Sequence, residues 1–360
     1  MRIKSNFQLK KITSTRVGGP ARYYVEVGNE SELLGALKWA ARRRFRNDGR
    51  IILGAPLRSR HGGCKLRRIV IGDGTNIIPH DGGFNGLVIR NKIEKFEVRE
   101  RRVPRGPRLF SGKSEVRLGS GNNLLGSIRR LNRLGLGGME KMAGIPGTIG
   151  GAIYGCAGAY GQEIKDRLVR ARVWNGTKFL WLTNERCRFR YRDSIFKRHD
   201  DWIITEVVFS LQKTDPKLLQ KTSAEIIKTR EQKYPPGLRC PGSFFKNIVV
   251  KSIKPVVVRK KLLAQIERDK IKYGKIPAAY LLERIGAKGM RLGGVAIADY
   301  HANLIYNRSG GTAKDIRGLA SDLKRKVRQK FGIILEEEVR YIMGNLSKFN
   351  SDKLSTVNGG

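Results

Sequence analysis

The sequence predicts an α+β protein of more than one domain, and three observations lead there. Through the first two hundred residues, short β-branched runs alternate with glycine turns, as Ile69-Val70-Ile71 does with Gly72-Asp73-Gly74-Thr75-Asn76. The last third mixes strand-like runs with one long amphipathic helix, Thr312 to Phe331. A chain of 360 residues that is 40% hydrophobic can also bury more than one core.

Thr13 to Tyr24 reads as a loop running into a strand, because Tyr23 to Val27 has aromatic and β-branched bias. Ser31 is expected to cap a helix with Leu33, Leu34, Leu37 and Ala41 on its inner face, ending in Arg42-Arg43-Arg44, where cations suit the terminus. Residues 42–68, rich in Arg and Gly and interrupted by Pro56, read as a basic surface insertion with Ile51 to Leu53 as a short strand. Gly86 to Ile89 is the next strand, and Lys95 to Leu118 a hairpin or meander with a basic tip. Asn122 to Leu134 is expected to be helical, with Leu124, Ile128 and Leu131 inward and Gly135 as its stop. Val169 to Val173, Phe179 to Leu182 and Ile203 to Leu211 carry strand bias. Pro216 to Gln232 has a helical pattern that Pro235-Pro236-Gly237 breaks, which puts a domain boundary near residue 213. In the last helix Thr312 and Asp315 form a capping box, Ile316, Leu319, Leu323 and Val327 the inner stripe, and Gly332 the stop. The residues after Asn345 are polar and expected to fray.

A formal charge of +42 and a pI near 10.7 make a field that attracts anions. The basic residues lack the interleaved aromatics, RNP-like strands or zinc spacing of a nucleic-acid module, so contact with nucleic acid is expected only through non-specific charge. Cys64, Cys156, Cys187 and Cys240 form no C-x-x-C pair, and no secretory signal opens the chain, as for reduced thiols in a cytoplasmic protein. Ala143 to Gln162 is uncharged, yet its glycines and Ile145-Pro146-Gly147 exclude a membrane span. His61, His80, His199 and His301 have no metal-ligand spacing, and no metal is expected.

Several segments could carry chemistry. Gly72 to Asn76 follows a strand, where glycines let backbone N–H groups approach a phosphate. Gly119-Ser120-Gly121 is a similar turn, and both lack the third glycine of a dinucleotide-binding Rossmann unit. Gly144 to Gly151, with so many small residues in succession, would suit a large flat cofactor pressed onto bare backbone, or a packing turn. Tyr191-Arg192-Asp193 suggests a held guanidinium. Gly242-Ser243-Phe244-Phe245-Lys246-Asn247 could set a hydroxyl at the wall of an apolar pocket beside a cation. Glu336 to Glu338 follow the apolar Ile333-Ile334-Leu335, so strand alternation would turn alternate carboxylates inward.

In order, Thr15 to Ala21, Gly72 to Asn76, Gly144 to Gly161, Tyr191 to Phe196, Gly242 to Asn247, His301-Ala302-Asn303 and Leu335 to Arg340 resemble the UDP-N-acetylenolpyruvoylglucosamine reductase family, over about residues 13–344. The short interval from Arg192 to Ser243 resembles its second type. The resemblance implies a two-subdomain FAD-binding domain of the vanillyl-alcohol oxidase/p-cresol methylhydroxylase type, followed by an α+β substrate-binding domain. The implied plan is an extension over 1–12, the FAD domain over 13–212 divided near residue 90, the substrate domain over 213–346 and a tail over 347–360. It further implies non-covalent FAD, NADPH as hydride donor and a UDP-sugar substrate in peptidoglycan precursor synthesis. Ser243 would be the proton donor, with Asn247 or a pocket cation assisting it, and Arg192 and Glu338 would stabilise the enolate. FAD would lie against Arg16, Val17, Gly18 and Gly19, against Gly72, Asp73, Gly74, Thr75 and Asn76, and against Gly144, Ile145, Pro146, Gly147, Thr148, Gly150 and Gly151. Tyr191, Lys233, Asn247 and His301 would contact substrate. Three residues depart from the family pattern: Cys156 stands where asparagine is usual, Ile248 where proline is usual, and Asp73 sets a carboxylate in a phosphate turn. Another FAD oxidoreductase of this fold, or a basic nucleic-acid-binding protein on the same scaffold, is the alternative.

Overall fold

The computed structural model describes residues 1–45, 51–53, 64–100 and 112–344. Its first sheet orders four strands as Lys4–Gln8, Pro20–Val27, Phe84–Asn91 and Arg67–Ile71. The first pair is antiparallel, but Phe84–Asn91 runs parallel to both its neighbours. Parallel neighbours need crossovers, and helix α1 (Glu30–Ala41) is one, burying Leu33, Ala36, Leu37 and Ala40 against Val25, Leu87 and Ile89. Two expectations are corrected here. Residues 1–12 are an edge strand and a turn that buries Leu9 completely, not an extension. The cap of α1 is Asn29 rather than Ser31: its Oδ1 accepts from Glu32 N at 2.9 Å while Glu32 accepts from Gly28 N at 2.8 Å, which moves the buried stripe to 33, 36, 37 and 40. In the basic insertion, Ile51–Leu53 pairs with Arg43–Phe45, which also pairs with Cys64–Lys65.

The second sheet is antiparallel, in the order Phe179–Thr183, Leu168–Trp174, Ile203–Lys213, Lys113–Gly119, Phe96–Glu100. The last two form the expected hairpin, whose basic tip lies outside the described residues. Helix α2 (Leu124–Arg133) starts on the Asn123 side chain and stops before Gly135 at φ 67°, a left-handed conformation that suits glycine. It and helix α3 (Ile149–Gly155) bury Leu124, Ile128, Ile149 and Ile153 against Val207 and Phe209.

Helix α4 (Pro216–Lys233), capped by Asp215, lies on α2, where Asn132 Nδ2 donates to Ser223 Oγ at 2.7 Å. A further core gathers α5 (Val256–Ala264), α6 (Ala278–Arg284), the antiparallel strands Arg291–Leu292, Val295–Ala298 and His301–Asn307, and α7 (Ala313–Phe331). The α7 capping box, inner stripe and Gly332 stop fall where the sequence placed them. After α7 the chain crosses back: Glu337 bridges Phe245, and Arg340–Ile342 then pairs in parallel with Ile77–Pro79. One extended segment therefore belongs to the last core at its start and to the first at its end.

Candidate active site

A cavity of about 1050 Å³ opens where these bodies meet. Its floor is two glycine turns packed on each other, 72–76 and 145–151. A Cβ on Gly72 would collide with the Thr148 hydroxyl, one on Gly147 would come within 2.8 Å of Thr75 Oγ1, and one on Gly150 within 2.9 Å of Ser120 Cβ. Those glycines exist for turn-on-turn packing. Gly155, by contrast, also lines the cavity, and a Cβ there would meet nothing within 4 Å. Bare backbone thus faces the empty side, as a flat ring system requires.

Asp73 in that floor is neutralised: its Oδ1 accepts from Arg90 Nη2 at 3.2 Å and Lys92 Nζ at 3.1 Å. The carboxylate that threatened a pyrophosphate is thus an anchor for two cations. Cys156 closes α3 at φ 46°, a left-handed position that asparagine tolerates better than cysteine. Burial pushes its thiol up to about 11, so it is unreactive, and its carbonyl does the work.

That carbonyl accepts from Arg192 Nη1 at 3.2 Å, and Gly158 O accepts from Arg192 Nη2 at 2.7 Å. Glu338 Oε1 lies 2.9 Å from Arg192 Nε, a charge contact without hydrogen-bond alignment, so the buried Nε–H keeps donor capacity. Lys197 Nζ donates to Arg192 O at 2.7 Å, and burial, then the Lys246 charge, lowers the pKa of that lysine. Glu338 is placed by backbone: its N–H donates to Phe244 O at 2.8 Å and its carbonyl accepts from Asn76 Nδ2 at 3.1 Å. The expected alternation is corrected here: the adjacent Glu337 and Glu338 both line the cavity, reaching Lys324 and Arg192, while Glu336 is exposed beside Lys246, because this segment is not a regular strand before Arg340.

Ser243 follows Gly242 at φ 86° and lines the cavity. Asn303 clamps the next residues, its Oδ1 accepting from Phe245 N at 2.8 Å and its Nδ2 donating to Phe245 O at 2.9 Å. Phe244 and Phe245 are fully buried core rather than pocket wall, each contributing about 1.5–3 kcal/mol. The hydrogen-bond partner of Ser243 Oγ is Tyr234 OH, at 2.7 Å, and Tyr234 OH lies 3.3 Å from His301 Nε2.

The expectation that Asn247 assists Ser243 is corrected by this arrangement, since Asn247 Oδ1 accepts from Ala278 N at 3.2 Å and fixes the start of α6. Tyr191 acts as a brace, its hydroxyl accepting from Asn247 N at 3.3 Å beneath Lys275 Nζ, 4.2 Å from its ring centre. Arg16 to Gly19 lie behind the floor: Gly18 and Gly19 pass against Pro79 and Asp81, and Val17 is buried in the last core. Lys233 is exposed at the end of α4, with Arg230 one turn earlier lining the cavity. Arg230 packs on Gly144, its Nε is buried without a partner, and burial lowers its pKa, so an anion in the cavity would compensate it. Sequence reasoning named Lys233 and missed Arg230, though a signal was there: Leu219, Ser223, Ile226 and Ile227 mark the inner face of α4, and 230 continues their spacing. With Arg67, Arg68, Lys197, Lys246 and Arg340 on the walls beside Asp200, Glu337 and Glu338, bases outnumber acids and the cavity is cationic on balance.

Glycine floor, bare backbone at Gly155 and a neutralised Asp73 fit a bulky dinucleotide bearing a pyrophosphate. Fold and cavity define a flavin-binding oxidoreductase, and the profile of an FAD binding domain matches residues 63–177. The profile described as UDP-N-acetylenolpyruvoylglucosamine reductase, C-terminal domain, matches residues 234–342. A UDP-N-acetylenolpyruvoylglucosamine reductase of Solibacter usitatus is 37% identical over 340 residues, covering 94% of this chain and 96% of the relative. That of Bacillus subtilis is 31% identical over 77% of this chain and 80% of its own. The crystal structure of the enzyme from Thermus caldophilus matches with a TM-score of 0.66 at 25% identity, over 95% of this chain and 99% of that one. The chain belongs to the UDP-N-acetylenolpyruvoylglucosamine reductase family.

Proposed function

We propose that the cavity reduces the enolpyruvyl double bond of UDP-N-acetylglucosamine enolpyruvate to give UDP-N-acetylmuramate, with NADPH as electron source, in peptidoglycan precursor synthesis. The observation that carries this is Ser243, Arg192 and Glu338 converging on one cationic cavity from segments far apart in sequence. The turns 72–76 and 145–151 and the bare backbone of Gly155 would hold FAD, which would supply hydride-transfer chemistry between NADPH and the outer carbon of the double bond. Negative charge then spreads from the inner carbon into the substrate carboxylate, and Arg192 stabilises it. Its guanidinium is aimed in advance by two carbonyls and Glu338, so little reorganisation is needed as charge develops. Ser243 delivers the proton to the inner carbon. Lys246 and Arg340 supply positive charge for the substrate diphosphate. In this reading residues 1–212 hold the cofactor and residues 213–342 the substrate. Among the described residues no helix is long and apolar enough to cross a membrane.

An anaerobic absorbance titration tests the reading. Yellow protein should bleach with NADPH and recover its colour with the enolpyruvyl substrate. Bleaching without recovery would leave a flavin oxidoreductase with some other substrate, and protein that cannot take up FAD would sink the proposal.

A further inference from the structure

Serine is a weak acid, and once its proton has gone to carbon an alkoxide is left that must regain a proton. The structure puts one group in contact with that oxygen, the Tyr234 phenol at 2.7 Å. Tyr234 sits at the C-terminal end of α4, just before Pro235-Pro236, with its ring against the small apolar cluster of Cys240, Ala298 and Leu304. Two further groups face the ring: the Arg230 guanidinium, 5.3 Å from its centre, and His301, edge-on, with Nε2 at 3.3 Å from the hydroxyl. A phenol is far more acidic than an aliphatic hydroxyl, and the Arg230 charge beside the ring favours its ionised form.

We propose that Tyr234 is the proton source behind Ser243, a positioning and relay residue for the protonation of substrate carbon. This rests on the functional reading above. As the Ser243 O–H bond breaks and the C–H bond forms at the inner carbon, the Tyr234 O–H bond breaks and a new O–H bond forms on Ser243. The electron pair that reduces the substrate comes from the reduced cofactor, so the relay moves protons alone. The phenolate left behind is offset by the nearby Arg230 charge and faces His301 Nε2, and it takes a proton from water after product leaves. Burial raises the Tyr234 pKa, with the Ser243 hydrogen bond and the Arg230 charge working against that rise, so the phenol stays protonated between turnovers.

The test uses the holoenzyme in stopped flow, with reduction by NADPH and reoxidation by the enolpyruvyl substrate timed separately in mixtures of light and heavy water. In the natural protein, reoxidation should fall along a bowed curve with deuterium content, because two protons move together. In Tyr234→Phe, reoxidation should slow relative to reduction by about a hundredfold and the curve should become straight. An unchanged rate, or a slower one with the curve still bowed and substrate affinity reduced, overturns the relay. Should the variant lose its flavin band, 3-fluorotyrosine at 234 replaces it: the alkaline limb of reoxidation should move to lower pH, and an unmoved limb overturns the proposal. Arg230, His301, Cys240 and Glu338 are the charged or titratable groups around that phenol. If the natural holoenzyme itself is not reoxidised, the functional reading falls and takes the relay with it, an outcome distinct from failure in the variant alone.

Discussion

Arg192 has φ 53°, a conformation that costs a bulky side chain of order 1–3 kcal/mol, and three separate contacts hold it there. Strain of that kind persists where surroundings over-determine it, and here its effect is to aim a guanidinium into the cavity. In Arg192→Lys the bidentate hold on Cys156 O and Gly158 O cannot be rebuilt, so reoxidation by substrate should fall about 10²–10³-fold, read by stopped flow. Ser243→Ala should still take up FAD and be reduced by NADPH while reoxidation drops by about 10²–10⁴, and normal turnover would remove Ser243 as the proton donor. Burial, followed by the Lys233 charge, lowers the His301 pKa below its usual 6.5. The unfolded chain therefore binds more protons as pH falls through 6.5, and stability should be lost in that direction; His301→Gln should flatten the Tm profile between pH 7 and 5. At this scale what was legible is placement: Ser243 and Glu338 lie in short motifs and both line the cavity, whereas Tyr234 becomes a partner of Ser243 only once the turn through Pro235 and Pro236 folds back, and no spacing announces that.

The glycine turns divide into two kinds that sequence alone cannot separate, since both read as runs of small residues. Gly72→Ala should push the two turns apart, at a cost of about 1–3 kcal/mol in apoprotein stability, measured by urea unfolding. Gly155→Ala adds its methyl to empty space within α3, so the apoprotein should gain roughly 0.5–1 kcal/mol while FAD affinity falls. Equal destabilisation of the apoprotein by both would contradict this division. Helix α7 was fully legible, because its cap, stripe and stop agree with one another. Helix α1 was misread by one cap because Ser31 and Asn29 are both good N-cap residues, and only the Glu32–Gly28 contact decides between them. The parallel pairing of Arg67–Ile71 with Phe84–Asn91 was not written in either strand, since local pattern carries no direction.

Across the whole molecule, 73 Lys and Arg stand against 31 Asp and Glu, and part of that excess lines the cavity. The association rate for the UDP-sugar should therefore fall steeply with ionic strength, while the maximal rate of bound enzyme stays level. Retention on heparin or nucleic acid should vanish in the same salt range without changing product formation. The division expected near residue 213 is a proposal, and helix α4 beyond it lies on α2 of the first body; nothing in the sequence revealed that the strand Arg340–Ile342 would return there. That return makes one short segment a latch between the two bodies. Parting Arg340–Ile342 from Ile77–Pro79 would carry Glu338 away from Arg192, leaving the guanidinium on Cys156 O and Gly158 O alone, and would open the cavity wall at the same stroke.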